Sequence, residues 1–291
     1  MIPAAFDYHV PATLEEALAL LGEHSAHAKI LAGGQSLIPM MRFRLVEPGE
    51  IIDINHIDEL TRLDEEGDYL HIGALVRHAT IEGTGWIRER YPLLAEAAEV
   101  IADPLVRNRG TVGGSLVHAD PAGDWGAVML AYRAECVVRS ASGERAFPID
   151  DLFLTTFTTT LEPEEILVEI RVPRAGESEG GAYEKLERKV GDFATVAVAV
   201  QIAVDGQGNI ASAGIGLTAV GPTNLRAARG EAALVGKPPD GRTIAEAAAR
   251  AAEDAKPTAD NRGPKDYKRD MVRVLTARAL RRAAARTQGE G

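Results

Sequence analysis

Two short segments combine paired glycines with hydroxyl or amide side chains. The first is Ala32-Gly33-Gly34-Gln35-Ser36, and the second is Thr111-Val112-Gly113-Gly114-Ser115. Because glycine has no Cβ, successive backbone N–H groups can approach the oxygens of a diphosphate closely. The neighbouring side chains add donors without a fixed positive charge. Either segment alone would be typical of a tight turn, but the pair predicts a cradle for a cofactor that carries a diphosphate.

Other nucleotide-binding motifs fit poorly. Gly214–Ala219 satisfies a loose dinucleotide pattern, but it lies inside an alternating strand pattern and is followed by Gly221-Pro222 rather than a helix. Gly230–Lys237 has one residue too many for a P-loop, and Pro238 stands where a Ser or Thr should bind magnesium. The sequence also lacks a Gly-x-Ser-x-Gly elbow, and its single cysteine, Cys136, lies in a strand pattern. No catalytic side chain is predicted, so the chemistry belongs to the cofactor.

The elements around these segments mix helices and strands without a repeat. A strand at 29–32 precedes the first segment and a helix at 37–44 follows it, while Thr13 is a predicted helix cap and Gly22 a helix end. The predicted boundary is the Pro- and Gly-rich stretch 173–181. The remaining predictions are strands at 50–54, 69–72, 136–139, 194–204 and 210–220, polar turns at 64–68, 140–143 and 205–209, and helices at 91–101, 127–132, 243–255 and 267–286.

Composition restricts the function. The chain has 291 residues and a formal net charge of -11, which argues against nucleic-acid binding because such binding needs clustered Lys and Arg. One cysteine allows neither an internal disulfide nor an iron–sulfur cluster held by this chain alone. His24 and His27 are three residues apart on a helix and are interpreted as surface residues, and no metal site is predicted. The sequence shows no signal-peptide pattern and no long apolar run, so a cytoplasmic location is expected.

Several stretches together resemble the flavoprotein medium subunit of the molybdenum hydroxylase family, to which xanthine dehydrogenase belongs. They are Ala32–Pro39, Arg107–Ser115 and Tyr183–Thr195. The start, Met1–His9, and the end, Arg262–Tyr267, are especially similar to the medium subunits of aerobic carbon monoxide dehydrogenases. The resemblance covers nearly the whole chain. It implies an α+β fold with an FAD-binding domain of the vanillyl-alcohol-oxidase (PCMH) type at 1–176, in lobes of about 1–55 and 56–176, and a C-terminal α+β domain at 177–291.

The resemblance also implies which residues contact FAD. Both glycine segments would hold the diphosphate, Asp124 and its neighbour Asp120 would contact the cofactor, and Lys185 would lie near the flavin ring, where a positive charge stabilises an anionic form. The full set of implied contacts is Ala32, Gly33, Gly34, Gln35, Ser36, Leu37, Ile101, Thr111, Gly113, Gly114, Ser115, Asp120, Asp124, Leu167, Lys185 and Phe193.

The chain departs from the family pattern at three of these positions. Phe193 stands where the carbon monoxide enzymes tend to have a tyrosine that shields the flavin, so stacking is retained but the hydroxyl is lost. Ser115 replaces a common Asn and Gln35 a common His, and both can still form hydrogen bonds. Without the family, Lys185 would be interpreted as a solvated side chain, Phe193 as a core aromatic and Asp124 as a helix N-cap.

For function, the resemblance implies an electron-exit subunit. A large subunit with a molybdenum cofactor would oxidise the substrate with water, and two [2Fe–2S] clusters in a small subunit would pass electrons to FAD. A quinone or other respiratory acceptor would receive them, at the inner face of the membrane, in a dimer of heterotrimers. Carbon monoxide is the expected substrate, with an N-heterocycle or aldehyde as an alternative. A cofactor-free assembly subunit is the alternative from another class.

Overall fold

In the computed structural model, which describes residues 2–289, the chain forms three main sheets in succession. A three-stranded sheet lies within residues 7–53, a five-stranded sheet within 63–173 and a four-stranded sheet within 179–226. Helices pack on all three sheets. Most buried apolar residues of the first sheet lie in one cluster, most of those of the second sheet in another, and most of those of the third sheet in a third cluster. The α+β class predicted from the sequence is confirmed.

The first sheet is parallel. Its strand order is β1-β3-β2, and the helix α1 buries Leu14, Ala17, Leu18 and Leu21 in the same apolar cluster as the sheet. The hydroxyl of Thr13 caps α1 by accepting the backbone N–H of Glu16 at 3.2 Å, as predicted. The predicted end at Gly22 is wrong, because the helix continues to His24. The elements are β1 (Asp7–His9), α1 (Leu14–His24), β2 (Ala28–Leu31), α2 (Leu37–Arg42) and β3 (Glu50–Asp53).

The second sheet is antiparallel, in the order β4-β5-β10-β6-β7. The predicted polar turn at 64–68 is wrong over most of its length, because Leu63–Glu66 is an edge strand in which the exposed Asp64 and Glu66 alternate with the half-buried Leu63 and Glu65. The elements are β4 (Leu63–Glu66), β5 (Tyr69–Gly73), α3 (His78–Gly83), α4 (Gly85–Arg90), α5 (Pro92–Glu99), α6 (Pro104–Arg107), α7 (Val112–His118), α8 (Asp124–Tyr132), β6 (Glu135–Ser140), β7 (Gly143–Pro148), β8 (Phe153–Thr155), β9 (Thr158–Thr159) and β10 (Ile166–Pro173), with 3-10 turns at Asp58–Thr61 and Ile149–Asp151.

The third sheet is antiparallel, and helices α9 to α11 follow it in sequence. The predicted hairpin is confirmed: the Asp205 carboxylate closes its turn by accepting the N–H groups of Gln207 and Asn209, both at 2.9 Å. The predicted boundary at 173–181 is too long, because the strand β11 already begins at Glu179. The elements are β11 (Glu179–Leu186), β12 (Val196–Val204), β13 (Ile210–Thr218), β14 (Leu225–Arg226), α9 (Ala228–Leu234), α10 (Gly241–Asp254) and α11 (Lys265–Thr287).

Helix α8 joins the second sheet to the third. All of its residues are buried, and it packs directly on strand β13. The close approach depends on glycine: a Cβ built at Gly214 would lie 1.9 Å from the carbonyl oxygen of Ala131, and one at Gly216 would lie 1.9 Å from that of Ala127. The strand glycines that resemble a nucleotide motif therefore serve packing. Glu96 of α5 adds a polar contact by pairing with Arg282 and Arg286 of α11.

We expect Gly216→Ala to destabilise the chain by about 2 kcal/mol, because the added methyl must push apart a helix and a strand that are in backbone contact. Gly206→Ala is the matched control, since a Cβ there meets nothing within 4 Å, and its effect should stay within about 0.5 kcal/mol. Urea unfolding measures both variants. Equal unfolding midpoints for the two would contradict the packing role of Gly216.

Candidate cofactor site

A cavity of about 590 Å³ lies where the three sheet units meet. This volume lies within the usual range of small-molecule sites. Both glycine segments line it, together with residues of α8, the β10 start and strand β11. Every contact residue implied by the family resemblance lines this same cavity: Ala32, Gly33, Gly34, Gln35, Ser36, Leu37, Ile101, Thr111, Gly113, Gly114, Ser115, Asp120, Asp124, Leu167, Lys185 and Phe193.

The first segment connects the end of β2 to α2. Gly34 has a φ of +74°, a conformation that favours glycine, and its carbonyl accepts the N–H of Ile38 at 3.1 Å. The side-chain amide of Gln35 donates to the carbonyl of Gly33 at 3.3 Å, within the segment itself. This bond holds the turn and orients Gln35 along the cavity wall.

The second segment is the N-terminal cap and first turn of α7 rather than a free loop. Thr111 is the N-cap, and its hydroxyl accepts the backbone N–H of Gly114 at 3.1 Å. The stretch after β5 fixes this helix start, because the N–H of Val112 donates to the carbonyl of Val76 at 3.0 Å. The other first-turn N–H groups of α7 are also bonded within the protein, since Gly113 donates to the carbonyl of Ala74 and Ser115 to that of Thr111, both at 3.0 Å. The helix start therefore offers an anion its dipole and the hydroxyls of Thr111 and Ser115.

The glycines are needed for contacts within the protein. A Cβ at Gly33 would lie 2.3 Å from the carbonyl oxygen of Arg109, and one at Gly113 would lie 2.6 Å from the Cβ of Ala74. From the sequence, these glycines are predicted to open the backbone toward a diphosphate. In the structure, Gly33 allows the first segment to touch the residues just before the second, and Gly113 allows the second segment to pack on Ala74 after β5.

A hydrogen-bonded strut crosses between the two lobes next to this contact. Asn55, just after β3, donates to the carbonyl of Ala32 at 2.7 Å and accepts from the Arg77 guanidinium at 2.6 Å. Arg77 also donates to the carbonyl of Arg109, at the entry to the second segment. The Asp53 carboxylate holds Asn55 in place by accepting its side-chain amide at 2.6 Å. Asn55 and Arg77 therefore set the distance between the two segments.

The strut contains two charged groups, Asp53 and Arg77, and the pKa values of both are shifted by their surroundings. Burial alone would raise the pKa of Asp53, but hydrogen bonds from Tyr8 and Asn55 hold it below its usual value. Burial lowers the pKa of Arg77, and the nearby Arg109 lowers it further. The shift is opposed by Asp53, so the strut carries an anion at one end and a cation at the other.

A buried histidine lies beneath the second segment. The indole N–H of Trp125 donates to Nδ1 of His78 at 3.0 Å, so the imidazole proton belongs on Nε2. Burial, with Arg77 and Arg107 nearby, lowers the pKa of His78 to about 4. His78 is therefore neutral at pH 7. A Cβ at Gly110 would lie 2.7 Å from its Nε2, so this ring packs directly under the segment that begins at Thr111.

A buried charge cluster occupies the part of the cavity formed by α8 and β11. The Asp124 carboxylate accepts the Tyr183 hydroxyl at 2.6 Å and the Lys185 ammonium at 3.2 Å. Lys185 also donates to the carbonyl of Val100 at 2.8 Å, and Glu187 lies 3.6 Å from it. Burial raises the pKa of Asp124, and Lys185 opposes that shift. The positive charge of Lys185 is thus shared with two carboxylates.

Three interpretations made without the family are wrong here. Lys185 is not solvated, since only 3% of its side chain is exposed, and Asp124 is the first residue of α8 rather than its N-cap, which is Gly123. Phe193 is not a core aromatic, because 54% of it is exposed at the cavity rim. Arg262 holds the Phe193 loop by donating to its carbonyl at 2.6 Å and to Asp192 at 3.0 Å. With Arg262 as the main cause, the pKa of Asp192 falls to about 2.

Sequence reasoning missed the residues that support the cavity wall. Asn55, Arg77 and His78 belong to no local motif, and the partners that link them across the wall lie at least 22 positions away. Tyr183 begins one of the stretches of family resemblance, but its bond to Asp124 spans 59 positions. The available indication was the pair of polar residues Asp53 and Asn55 at the end of a buried strand, because a polar residue leaving a parallel strand is well placed for a ligand site. His118 and Phe157 also line the cavity, with ring centroids 5.1 Å apart.

Comparisons with known proteins define the class. Residues 4–175 match the model of the FAD-binding domain in molybdopterin dehydrogenase, and residues 181–283 match the C-terminal domain of carbon monoxide dehydrogenase flavoproteins. The chain therefore belongs to the family of FAD-binding subunits of molybdopterin dehydrogenases. The predicted PCMH-type fold with a second C-terminal domain is confirmed, and FAD is the cofactor of this chain.

Individual members of this family are similar to the chain over nearly its whole length. The chain is 44% identical to the carbon monoxide dehydrogenase medium chain of Hydrogenophaga pseudoflava, over 98% of this chain and 99% of that one. A crystal structure of carbon monoxide dehydrogenase from the same organism, lacking the molybdenum-pyranopterin moiety, superposes with a TM-score of 0.95 at 46% identity, covering 98% of this chain and 99% of that chain. The 6-hydroxypseudooxynicotine dehydrogenase complex subunit alpha of Paenarthrobacter nicotinovorans is 36% identical, over 99% of this chain and 97% of its own length. This chain is an oxidoreductase subunit homologous to the carbon monoxide dehydrogenase medium chain.

The residues present fit FAD. One part of the cavity is lined by the first glycine segment, the hydroxyls of Ser36, Thr111 and Ser115, and the start of α7, which suits a diphosphate. The apolar Ile101 and Leu167 and the exposed Phe193 ring line the wall together with the Asp124–Lys185 cluster, which suits an aromatic ring with polar edges.

We expect Asn55→Ala to weaken FAD binding about tenfold, because it removes one of the two acceptors of Arg77 and the donor to the Ala32 carbonyl, so that the two segments can separate. Asn108→Ala is the matched control, since Asn108 is exposed and close to the second segment but outside the strut. Titration of the deflavinated chain with FAD gives both dissociation constants. Similar constants for the two variants would argue against the strut.

We expect the chain to lose stability as the pH falls from about 6.5 toward 4. In this window the unfolded chain protonates His78 while the folded chain, with its pKa of about 4, does not, at a cost of up to roughly 3 kcal/mol. His78→Gln can still accept from Trp125 but cannot titrate, so its unfolding free energy should depend less on pH. His27→Gln, at an exposed position, should retain the wild-type dependence. Parallel pH profiles for all three proteins would contradict this assignment.

Proposed function

We propose that this chain is the electron-exit subunit of a carbon monoxide dehydrogenase-type molybdenum hydroxylase. The proposal rests chiefly on near-full-length similarity to a carbon monoxide dehydrogenase medium chain, together with a cavity lined by every residue that the family resemblance implies. In the complex, carbon monoxide and water give carbon dioxide, two protons and two electrons. A large molybdenum subunit performs that oxidation, and a small subunit with two [2Fe–2S] clusters relays the electrons to this chain.

Bound FAD supplies the chemistry of this subunit, since a flavin accepts electrons singly and releases them singly or in pairs. The chain binds and orients it. In our proposal the two glycine segments hold the diphosphate, and the Asn55–Arg77 strut keeps the segments at a fixed separation. Phe193 covers the ring, and its exposure leaves an open rim through which an acceptor approaches. We propose a quinone as this acceptor, in a dimer of heterotrimers at the inner membrane face.

The cluster of Asp124, Tyr183 and Lys185 sets the local charge in this proposal. With Asp124 ionised, the two carboxylates outweigh the single ammonium, and with Asp124 protonated the cluster containing Glu187 is neutral. Burial raises the pKa of Asp124 while Lys185 and the hydrogen bond from Tyr183 oppose that shift, so the charge of the cluster depends on the protonation of this residue. Lys185 alone would supply a fixed positive charge; the cluster supplies an adjustable one.

Among residues 2–289, no helix of the structure is both long enough and apolar enough to cross a membrane.

We expect Gly33→Ala to lower FAD affinity at least about tenfold, because the methyl would collide with the Arg109 carbonyl and separate the two segments. Gly83→Ala, where a Cβ meets nothing within 4 Å, should leave FAD binding unchanged. The measurement is the flavin content of the purified complex by absorbance. If the Gly33 variant forms a complex with full turnover and no flavin, the chain is an assembly subunit and the proposal is wrong.

The substrate of the complex requires an assay of its own. The 36% identity to a 6-hydroxypseudooxynicotine dehydrogenase subunit favours an N-heterocycle as the second candidate. We expect the purified complex to reduce a dye at the expense of carbon monoxide and to be inactive with N-heterocycles and aldehydes. Activity with an N-heterocycle or aldehyde and none with carbon monoxide would contradict carbon monoxide as the substrate. It would not contradict the flavin role of this chain.

A further inference from the structure

Three potential metal ligands meet outside the cofactor cavity, in the first lobe. They are His9 at the end of β1, Glu50 at the start of β3 and His24 at the end of α1. Each offers one ligand atom, and these atoms all lie within 4.8 Å of one another. In the sequence, His24 is paired by its spacing with His27; the structure brings His24 to His9 instead.

The sheet register explains why these side chains converge. Strands β1 and β3 are parallel, with His9 opposite Ile52, so His9 and Glu50 point to the same face of the sheet. Helix α1 packs in the same apolar cluster as Ile52, and its last residue, His24, reaches Glu50. Each ligand thus comes from a different regular element, and all three side chains are positioned before any ion binds.

The distances are close to those that a cation requires. Nε2 of His9 lies 2.7 Å from one Glu50 oxygen, and Nδ1 of His24 lies 3.8 Å from the other. The two imidazole rings stack with centroids 5.6 Å apart. Ligand atoms at about 2.1 Å from a tetrahedral Zn²⁺ lie roughly 3.4 Å from each other, so shifts of less than about 1 Å would complete the geometry.

The environment also suits a metal. The side chains of His9, His24 and Glu50 are 29%, 33% and 18% exposed, so the backbone elements restrain them while solvent reaches the remaining coordination position. A carboxylate of Glu23 lies 3.9 Å from Nε2 of His24, the ring nitrogen that faces away from Glu50. Carboxylates near the second nitrogen of a ligating histidine commonly orient its ring.

We propose that His9, His24 and Glu50 bind a divalent cation of the zinc type, with two imidazole nitrogens, one carboxylate and one water. Two nitrogens and one carboxylate favour Zn²⁺ over Mg²⁺ or Ca²⁺, which prefer oxygen ligands. Bound there, the ion ties the end of α1 to strands β1 and β3 of the parallel sheet. This site is independent of FAD and of the proposed electron transfer.

The test uses the full flavin-containing chain, freed of metal with a chelator and desalted. Calorimetric titration with ZnCl₂ should give one saturable site per chain, and titration with Co²⁺ should give the visible absorption of a four-coordinate ion. His24→Gln and Glu50→Gln should each lower Zn²⁺ affinity at least tenfold. Flavin absorbance verifies that each variant is folded.

His27→Gln is the matched control, because His27 is an exposed histidine three residues from His24 and does not belong to the cluster. It should bind Zn²⁺ as the wild type does. The proposal is overturned if the wild-type chain shows no saturable Zn²⁺ binding. It is also overturned if His24→Gln and His27→Gln have the same affinity.

Discussion

The cofactor site depends on a backbone contact between two segments that are far apart in the sequence. At Gly33 the first segment lies so close to the Arg109 carbonyl and Gly110 that no side chain fits between them. Hydrogen bonds from Asn55 and Arg77 hold this contact, and they connect it to the parallel sheet through Asp53. Because the first segment follows the parallel sheet and the second is held by residues just after β5, the spacing of the first two sheets and the width of the gap between the segments change together. In the proposed FAD site, Asn55 and Arg77 would therefore affect cofactor binding whether or not they touch the cofactor.

The part of the cavity formed by α8 and β11 depends on side-chain charges rather than on backbone contacts. There the wall is formed by charged groups that are buried and mutually compensated, with Asp124 from the second lobe and Tyr183 and Lys185 from the C-terminal domain. Buried ion pairs of this type contribute little net stability, because the cost of desolvation offsets the attraction. Their retention suits a site in which charge changes during function. Asp124, Tyr183 and Lys185 consequently do two things: they set the charge of this part of the cavity, and they hold the C-terminal domain against α8.

Local patterns were sufficient to predict much of this molecule. The glycine segments, the capped helix after Thr13 and the hairpin around Asp205 each lie within a few consecutive residues, and all three are present in the structure. Predictions from the sequence were wrong where contacts between residues far apart in the chain determine the local structure. The edge strand β4 has a polar pattern typical of a turn, and the exposure of Phe193 and burial of Lys185 reverse what their residue types suggest. The partnership of His78 with Trp125 spans 47 positions, so no window of sequence contains it. The family resemblance supplied the wall residues that physical reasoning alone would have assigned to solvent or core.

The division of the cavity between early and late parts of the chain has a consequence for biosynthesis. Both glycine segments and their strut lie within the first 115 residues, whereas Lys185 and Phe193 leave the ribosome only after the second sheet has been made. A nascent chain can thus present a finished diphosphate cradle before the C-terminal domain exists. Packing of β12 and β13 against α8 then adds the C-terminal wall of the cavity. Cofactor insertion during translation would meet a cleft without this wall, and insertion after translation would have to pass the rim at Phe193.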